Sequence, residues 1–221
     1  MGLGEPSQRT RVRRAPHKAR YDETTVHAII DAVPICHVGV ALEEPAEVIV
    51  LPFLHARDGS TVYLHGSRSN RLLRGLLSAE RACATFTSFD GLRVARTGFH
   101  SSVTYRCVVA YGPVRAVGGD ELERSLDLLV DQVLPGRSAE VRRPNERELA
   151  LTAVVALEIH EASAKISEGP TEDEPEDVAS KVWAGDVVAR VAWGPVVPAL
   201  DGAMASGDIE VPPSVMRLLG P

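Results

Sequence analysis

The chain has 221 residues, 44% of them hydrophobic, and a formal net charge of −6, which describes a globular protein with one sizeable core and argues against wholesale nucleic-acid binding. No run of about 18 apolar residues exists, so a membrane-spanning helix is not expected, and Met1–Arg20 lacks the apolar stretch of a secretory signal; the expectation is a cytoplasmic protein. The three cysteines, Cys36, Cys83 and Cys107, form no Cys-x-x-Cys and no even set, which argues against a disulfide framework or zinc ribbon, and no histidine pair has ligand spacing, so no metal site is expected.

Residues 1–20 carry Arg9, Arg11, Arg13, Arg14, Lys18 and Arg20 against Glu5 alone and read as a flexible basic arm. The main domain is expected over 21–165. Asp22-Glu23-Thr24 opens a helix whose Val26, Ile29, Ile30 and Val33 make one apolar stripe, and Pro34 ends it. Short strands follow: Ile35–Leu42, then Val48–Ala56 after a turn at Glu43-Glu44-Pro45, then Thr61–His65 after the hairpin signal Asp58-Gly59. Leu72, Leu73, Leu76 and Leu77 have helical spacing behind an N-cap at Ser67 or Ser69. Ala82–Ser88 alternates as a strand, Asp90-Gly91 reads as a turn and 92–98 as a shorter strand.

Ser102–Val117 is the longest strand signal. Val103, Tyr105, Cys107, Val109 and Tyr111 share one face, Arg106, Val108 and Ala110 the other, and a bend is expected at Gly112-Pro113. Asp120–Leu134 is the clearest helix, with Asp120 and Glu123 as a capping box and Leu122, Leu126, Leu129, Val130 and Val133 as its buried face. Leu151–His160 is the last strong strand, with Leu151, Ala153, Val155, Leu157 and Ile159 inward. Residues 166–200, including the acidic stretch 168–177, read as a C-terminal extension, and 201–221 as a poorly ordered tail. Six or seven short strands, at most three helices and no βαβ alternation predict a mainly β fold, an antiparallel barrel with peripheral helices.

One segment has the makings of an anion site. Leu64-His65-Gly66-Ser67-Arg68-Ser69-Asn70-Arg71 leaves a strand, turns through a glycine and opens a helix. A helix N-terminus offers free N–H groups and the positive end of the dipole; Ser67 and Ser69 add hydroxyls, and Arg68 and Arg71 add charge. An ordinary capped helix with surface arginines explains the same residues. Arg106, on the face of Ser102 and Thr104, needs an anionic partner if that face is inside: a ligand or a carboxylate across a dimer. No nucleophile–base set is visible, so no catalytic residue is assigned.

The run Val62–Ser67, Ser69-Asn70-Arg71, Thr85-Phe86-Thr87, Asp90-Gly91-Leu92, His100–Arg106, Pro135-Gly136-Arg137, Ala162–Lys165 and Trp183-Ala184-Gly185 resembles, in order, the pyridoxamine 5′-phosphate oxidase-like superfamily, and more narrowly its nitroimidazole-resistance-type flavin-binding branch. Thr104, Cys107 and Ser167 depart from that pattern. The resemblance implies a split β-barrel of antiparallel Greek-key, FMN-binding type, a homodimer with FMN between subunits. It places Ser69 and Arg71, with Asn70, at the FMN phosphate and His65, Gly66 and Ser67 along the ring and ribityl chain. Thr85 lies on the neighbouring strand, Tyr105 and Arg106 approach from the long strand, and Lys165 and Trp183 belong to the part that folds back near the site. The activity implied is an FMN-dependent oxidoreductase moving hydride or electrons to or from a small molecule; the alternative is a non-catalytic carrier, store or sensor, including members that bind haem or a deazaflavin. Haem needs an axial ligand, and none stands out in the sequence.

Overall fold

The computed structural model describes residues 6–42, 46–79, 81–199 and 209–219. The expected Glu43-Glu44-Pro45 turn, and 201–208 of the expected tail, lie outside them. In chain order the elements are β1 (Ala19–Arg20), α1 (Glu23–Asp31), β2 (Ile35–Leu42), β3 (Glu47–Asp58), β4 (Thr61–Ser67), α2 (Arg71–Ser78), β5 (Ala82–Val94), β6 (Ser102–Gly112), β7 (Val114–Ala116), α3 (Asp120–Val133), α4 (Glu146–Leu151), β8 (Thr152–Glu158), β9 (Glu161–Ser167), α5 (Pro175–Val178), β10 (Gly185–Val188) and α6 (Pro213–Leu219).

The strands form one antiparallel sheet in the order β1-β9-β6-β5-β2-β3-β4-β8-β7, with β10 added to β5. Alternation decides which face goes inside. Cys36, Val38 and Val40 of β2, Ala82, Ala84 and Phe86 of β5, and Val108 and Ala110 of β6 are buried. Ala164 of β9 and Leu157 of β8, near opposite ends of the ladder, join the same core. The sheet is therefore rolled round that core, while β1 and β7 at its ends leave it open: a split β-barrel, as expected. Helix α1 packs its stripe of Val26, Ile29 and Ile30 into the core, and Asp22 caps it by accepting a hydrogen bond from Thr25 N at 2.8 Å.

The outer face has a second, smaller core. Ala56 of β3, Tyr63 of β4, and Val154 and Ala156 of β8 lie under Leu122, Leu126 and Leu129 of α3. Strand β8 is thus buried on both faces, which strict alternation did not anticipate.

Several expectations are corrected. Ala82–Val94 is one strand, and Asp90-Gly91 is a bulge rather than a turn: register shifts between Phe89 and Gly91, and β10 pairs with Gly91–Val94. Leu151 is not inward but 63% exposed, because an Asn145–Glu148 capping box starts α4, which ends there. The cap of α2 is Asn70, not Ser67 or Ser69. Helix α3 starts from Gly119 at φ +58° without a side-chain cap, so Asp120 and Glu123 form no capping box and act through the helix dipole.

Six α-helices occur among the described residues rather than three. Residues 6–20 are docked, not a free arm: β1 pairs with β9, Val12 N donates to Tyr21 Oη at 2.9 Å, and the Arg9 guanidinium sits 5.3 Å from the Tyr111 ring centroid. Near the C-terminus, Ser214 of α6 donates its N–H to Glu140 at 2.9 Å. The acidic stretch 168–177 is also anchored. Asp173, 1% exposed, accepts from the Arg96 N–H and guanidinium at 2.8 Å each.

Candidate functional site

The sequence-predicted residues fall into two groups, and β2 and β3 separate them in the sheet. The first is the corner where β4 runs into α2. Ser67 Oγ and Ser69 Oγ are 2.8 Å apart, and Ser69 N donates to Ser67 Oγ at 3.2 Å. Asn70 Oδ1 accepts from Leu72 N at 2.9 Å and Leu73 N at 3.3 Å, so it already satisfies two of the N–H groups a phosphate would use. Arg71 forms an ion pair with Glu47. Gly66 is held close to the helix: a Cβ there would meet Leu73 Cδ1 at 3.0 Å. Beside this corner, a cavity of about 240 Å³ is flanked by Arg68 and Arg74 over Leu73, Leu77 and Val117. Arg74 was not singled out from the sequence, because nothing in its spacing separates it from a surface helix residue.

The second group lies on β5, β6 and β9. Thr85 pairs with His37 and Val109 on the outer face. Lys165 pairs with Cys107 on the same face, and Tyr105 with Ser167. Arg106 is on the inward side of β6, and its anionic partner is Asp90 of its own chain. Arg106 Nε donates to Asp90 Oδ2 and Nη2 to Oδ1, each at 2.9 Å. That fork holds the Asp90 carboxyl below its ordinary pKa, helped by Ser88. The bulge missed in the sequence is what brings Asp90 there. Trp183 is 64% exposed and packs on Gly185, where a Cβ would lie 3.1 Å from the indole.

His65 belongs to neither group in its contacts. It pairs with Val154 on β4's outer face and borders a cavity of about 410 Å³ under the C-terminal end of α3, walled by Leu54, Leu126, Leu129, Val130 and Val133, with Arg137 at its edge. Burial lowers the His65 pKa, which favours the neutral ring. Val130 and Val133 were expected in a sealed core. They are 37% and 48% exposed and line this cavity instead. An α3 stripe wider than its small core needs was the sequence signal. Among the described residues, no cluster of three or more His, Cys, Asp or Glu is arranged to hold a bare metal ion, and no helix is long and apolar enough to cross a membrane.

The strand–glycine–helix corner and the candidate residues of β5, β6 and β9 thus lie on one open antiparallel split barrel. Residues 22–166 match the family model described as pyridoxamine 5′-phosphate oxidase, and the chain belongs to that flavin-binding family. It is 34% identical to the flavocytochrome Anf3 of Azotobacter vinelandii, with 96% of this chain and 97% of the other covered and a TM-score of 0.87. It is 32% identical to an FAD and heme binding protein of Mycobacterium smegmatis, with 91% and 97% covered and a TM-score of 0.85. A protein of Bacteroides thetaiotaomicron described as a 5-nitroimidazole antibiotic resistance protein shares the fold at 17% identity, with 67% and 86% covered and a TM-score of 0.57. No curated protein matches the chain.

Proposed function

We propose that this chain is a homodimeric redox protein that binds a flavin together with a haem and moves electrons between them and a small molecule. The observation that carries the reading is likeness over nearly the whole length, at 34% and 32% identity, to a flavocytochrome and to an FAD and heme binding protein. In this reading the flavin is FAD rather than the FMN expected from the sequence, because the full-length relative that names its flavin names FAD. The flavin supplies hydride and single-electron chemistry when bound.

The chain's own residues position it. Ser67 and Ser69 offer hydroxyls, and Arg68, Arg71 and Arg74 offer positive charge at the β4–α2 corner, a donor set suited to phosphate. Thr85, Tyr105 and Lys165 contribute from the outer face of the other half of the sheet. Their separation from the corner supports a groove completed by a second copy. Exposed Ile35, Val48, Val50 and Phe89 support the same arrangement, since apolar surface of this kind marks an interface.

The test is the composition of purified protein. Flavin absorption with a Soret band is expected, acid release of FAD rather than FMN on chromatography, and haem by the pyridine haemochrome assay. Protein that takes up neither group when both are supplied overturns the reading.

A further inference from the structure

We infer that the cavity under the C-terminal end of α3 is the haem pocket and that His65, on its wall, is the side chain that ligates the iron. The inference rests on the flavin-and-haem reading above. A haem pocket needs apolar walls for the porphyrin, a ligating side chain held on rigid backbone and a cation near the propionates. All three meet here. Leu54, Leu126, Leu129, Val130 and Val133 provide the walls of a cavity of about 410 Å³. His65 stands on β4, which is paired on one side with β3 and on the other with β8, so its backbone is fixed. Among the described residues the Arg137 side chain, at the edge, meets Glu140 at 3.4 Å, whose carboxylate is also committed to Ser214.

The walls explain why haem is the better occupant than the flavin ring. An isoalloxazine presents hydrogen-bonding groups along its pyrimidine edge and leaves them unsatisfied against leucine and valine. A porphyrin presents an apolar face and needs one strong ligand. The other histidines are less suited. His55 is fully buried, with Nε2 3.1 Å from Ile30 O and its ring against Phe86. His27 and His100 face Glu23 and Glu174, His37 lies on the exposed face of β2, and His17 and His160 are exposed. The cysteines are elsewhere: Cys36 is in the main core, and Cys83 and Cys107 are on β5 and β6.

The experiment reads haem content and the haem's absorption and electron paramagnetic resonance spectra in wild type, His65→Gly and His160→Ala. His65→Gly is expected to lose about tenfold or more of its haem, or to hold it with an altered spectrum, and added imidazole is expected to restore the wild-type signature. His160→Ala is expected to match wild type. Val133→Trp, which fills the cavity without touching a ligand, is expected to exclude haem while flavin content stays unchanged, and it serves where His65→Gly does not fold. Wild-type protein that takes up flavin but no haem overturns the haem half of the functional reading. Wild-type protein that holds haem while His65→Gly and Val133→Trp keep it with unchanged spectra overturns this assignment and leaves that reading standing.

Discussion

Arg71 carries the sharpest single-residue question, because its guanidinium already has a partner in Glu47. A phosphate at the α2 corner would have to share Arg71 with that carboxylate or displace it. Both side chains are substantially exposed, 58% and 33%, so the pair itself contributes little to stability, of the order of 0–1 kcal/mol, and exchange is inexpensive. Two opposite effects follow. Arg71→Ala removes a charge-assisted contact of about 1.5–3 kcal/mol and is expected to weaken flavin binding roughly ten- to hundredfold. Glu47→Gln removes the competitor and is expected to tighten it. Titration of apoprotein, followed by quenching of flavin fluorescence, measures both. Equal affinity in wild type and Arg71→Ala would remove Arg71 from the grip. Arg106 invites no such test, since its bidentate bond to Asp90 already satisfies the charge without a ligand.

Among the elements, the long β6 hairpin depends on one close approach. At Gly112 the backbone passes so near β8 that a Cβ would collide with the carbonyl oxygen of Glu158, and the next residue, Pro113, accepts from Glu158 N at 3.1 Å. Backbone has no rotamer with which to give way, so Gly112→Ala is expected to cost about 3 kcal/mol. A fall of several degrees in the thermal midpoint checks it, and a midpoint within a degree of wild type contradicts it. Gly112-Pro113 was legible as a bend, and so were β2 and the α1 stripe, because each follows from local periodicity and turn chemistry. The bulge at Asp90 was not legible: Asp-Gly is the same dipeptide in a turn or in a strand, and only pairing with β10, about 95 residues later in sequence, decides between them. Helix α4 was hidden in the same way, since Leu151 continues an alternating pattern that the Asn145–Glu148 cap overrides. At the candidate site the serines and arginines of 67–71 could be read from their types. The α3 cavity could not, because it is assembled from Leu54, His65 and a helix some 60 residues further on.

At the scale of the whole molecule, the outer face of the sheet divides into two halves. Helix α3 covers β4, β8 and the Leu54–Ala56 end of β3, and leaves the other end of β3 and the β2–β5–β6–β9 half, where Arg9 crosses Tyr111, without a helix over them. Along that bare half, register aligns Val50 with Gly39 and Gly39 with Cys83, and it aligns His37 with Thr85 and Thr85 with Val109. The apolar Val48 and Val50, 73% and 56% exposed, therefore share a surface with the second group of candidate site residues. If a second copy covers this surface, dimerisation and flavin binding are one event, and a ligand bound across the seam must raise the apparent stability of the dimer by mass action. Val50→Arg places an unpaired charge in that seam, where desolvating it opposes association by several kcal/mol. The variant is expected to elute as a folded monomer with wild-type circular dichroism and to lose flavin, although Val50 is far in sequence from the corner at 67–71. Light scattering and bound-flavin absorbance on the same sample check this directly. A monomer that keeps its flavin would place the whole site within one chain, and a variant that stays dimeric would move the interface to another face.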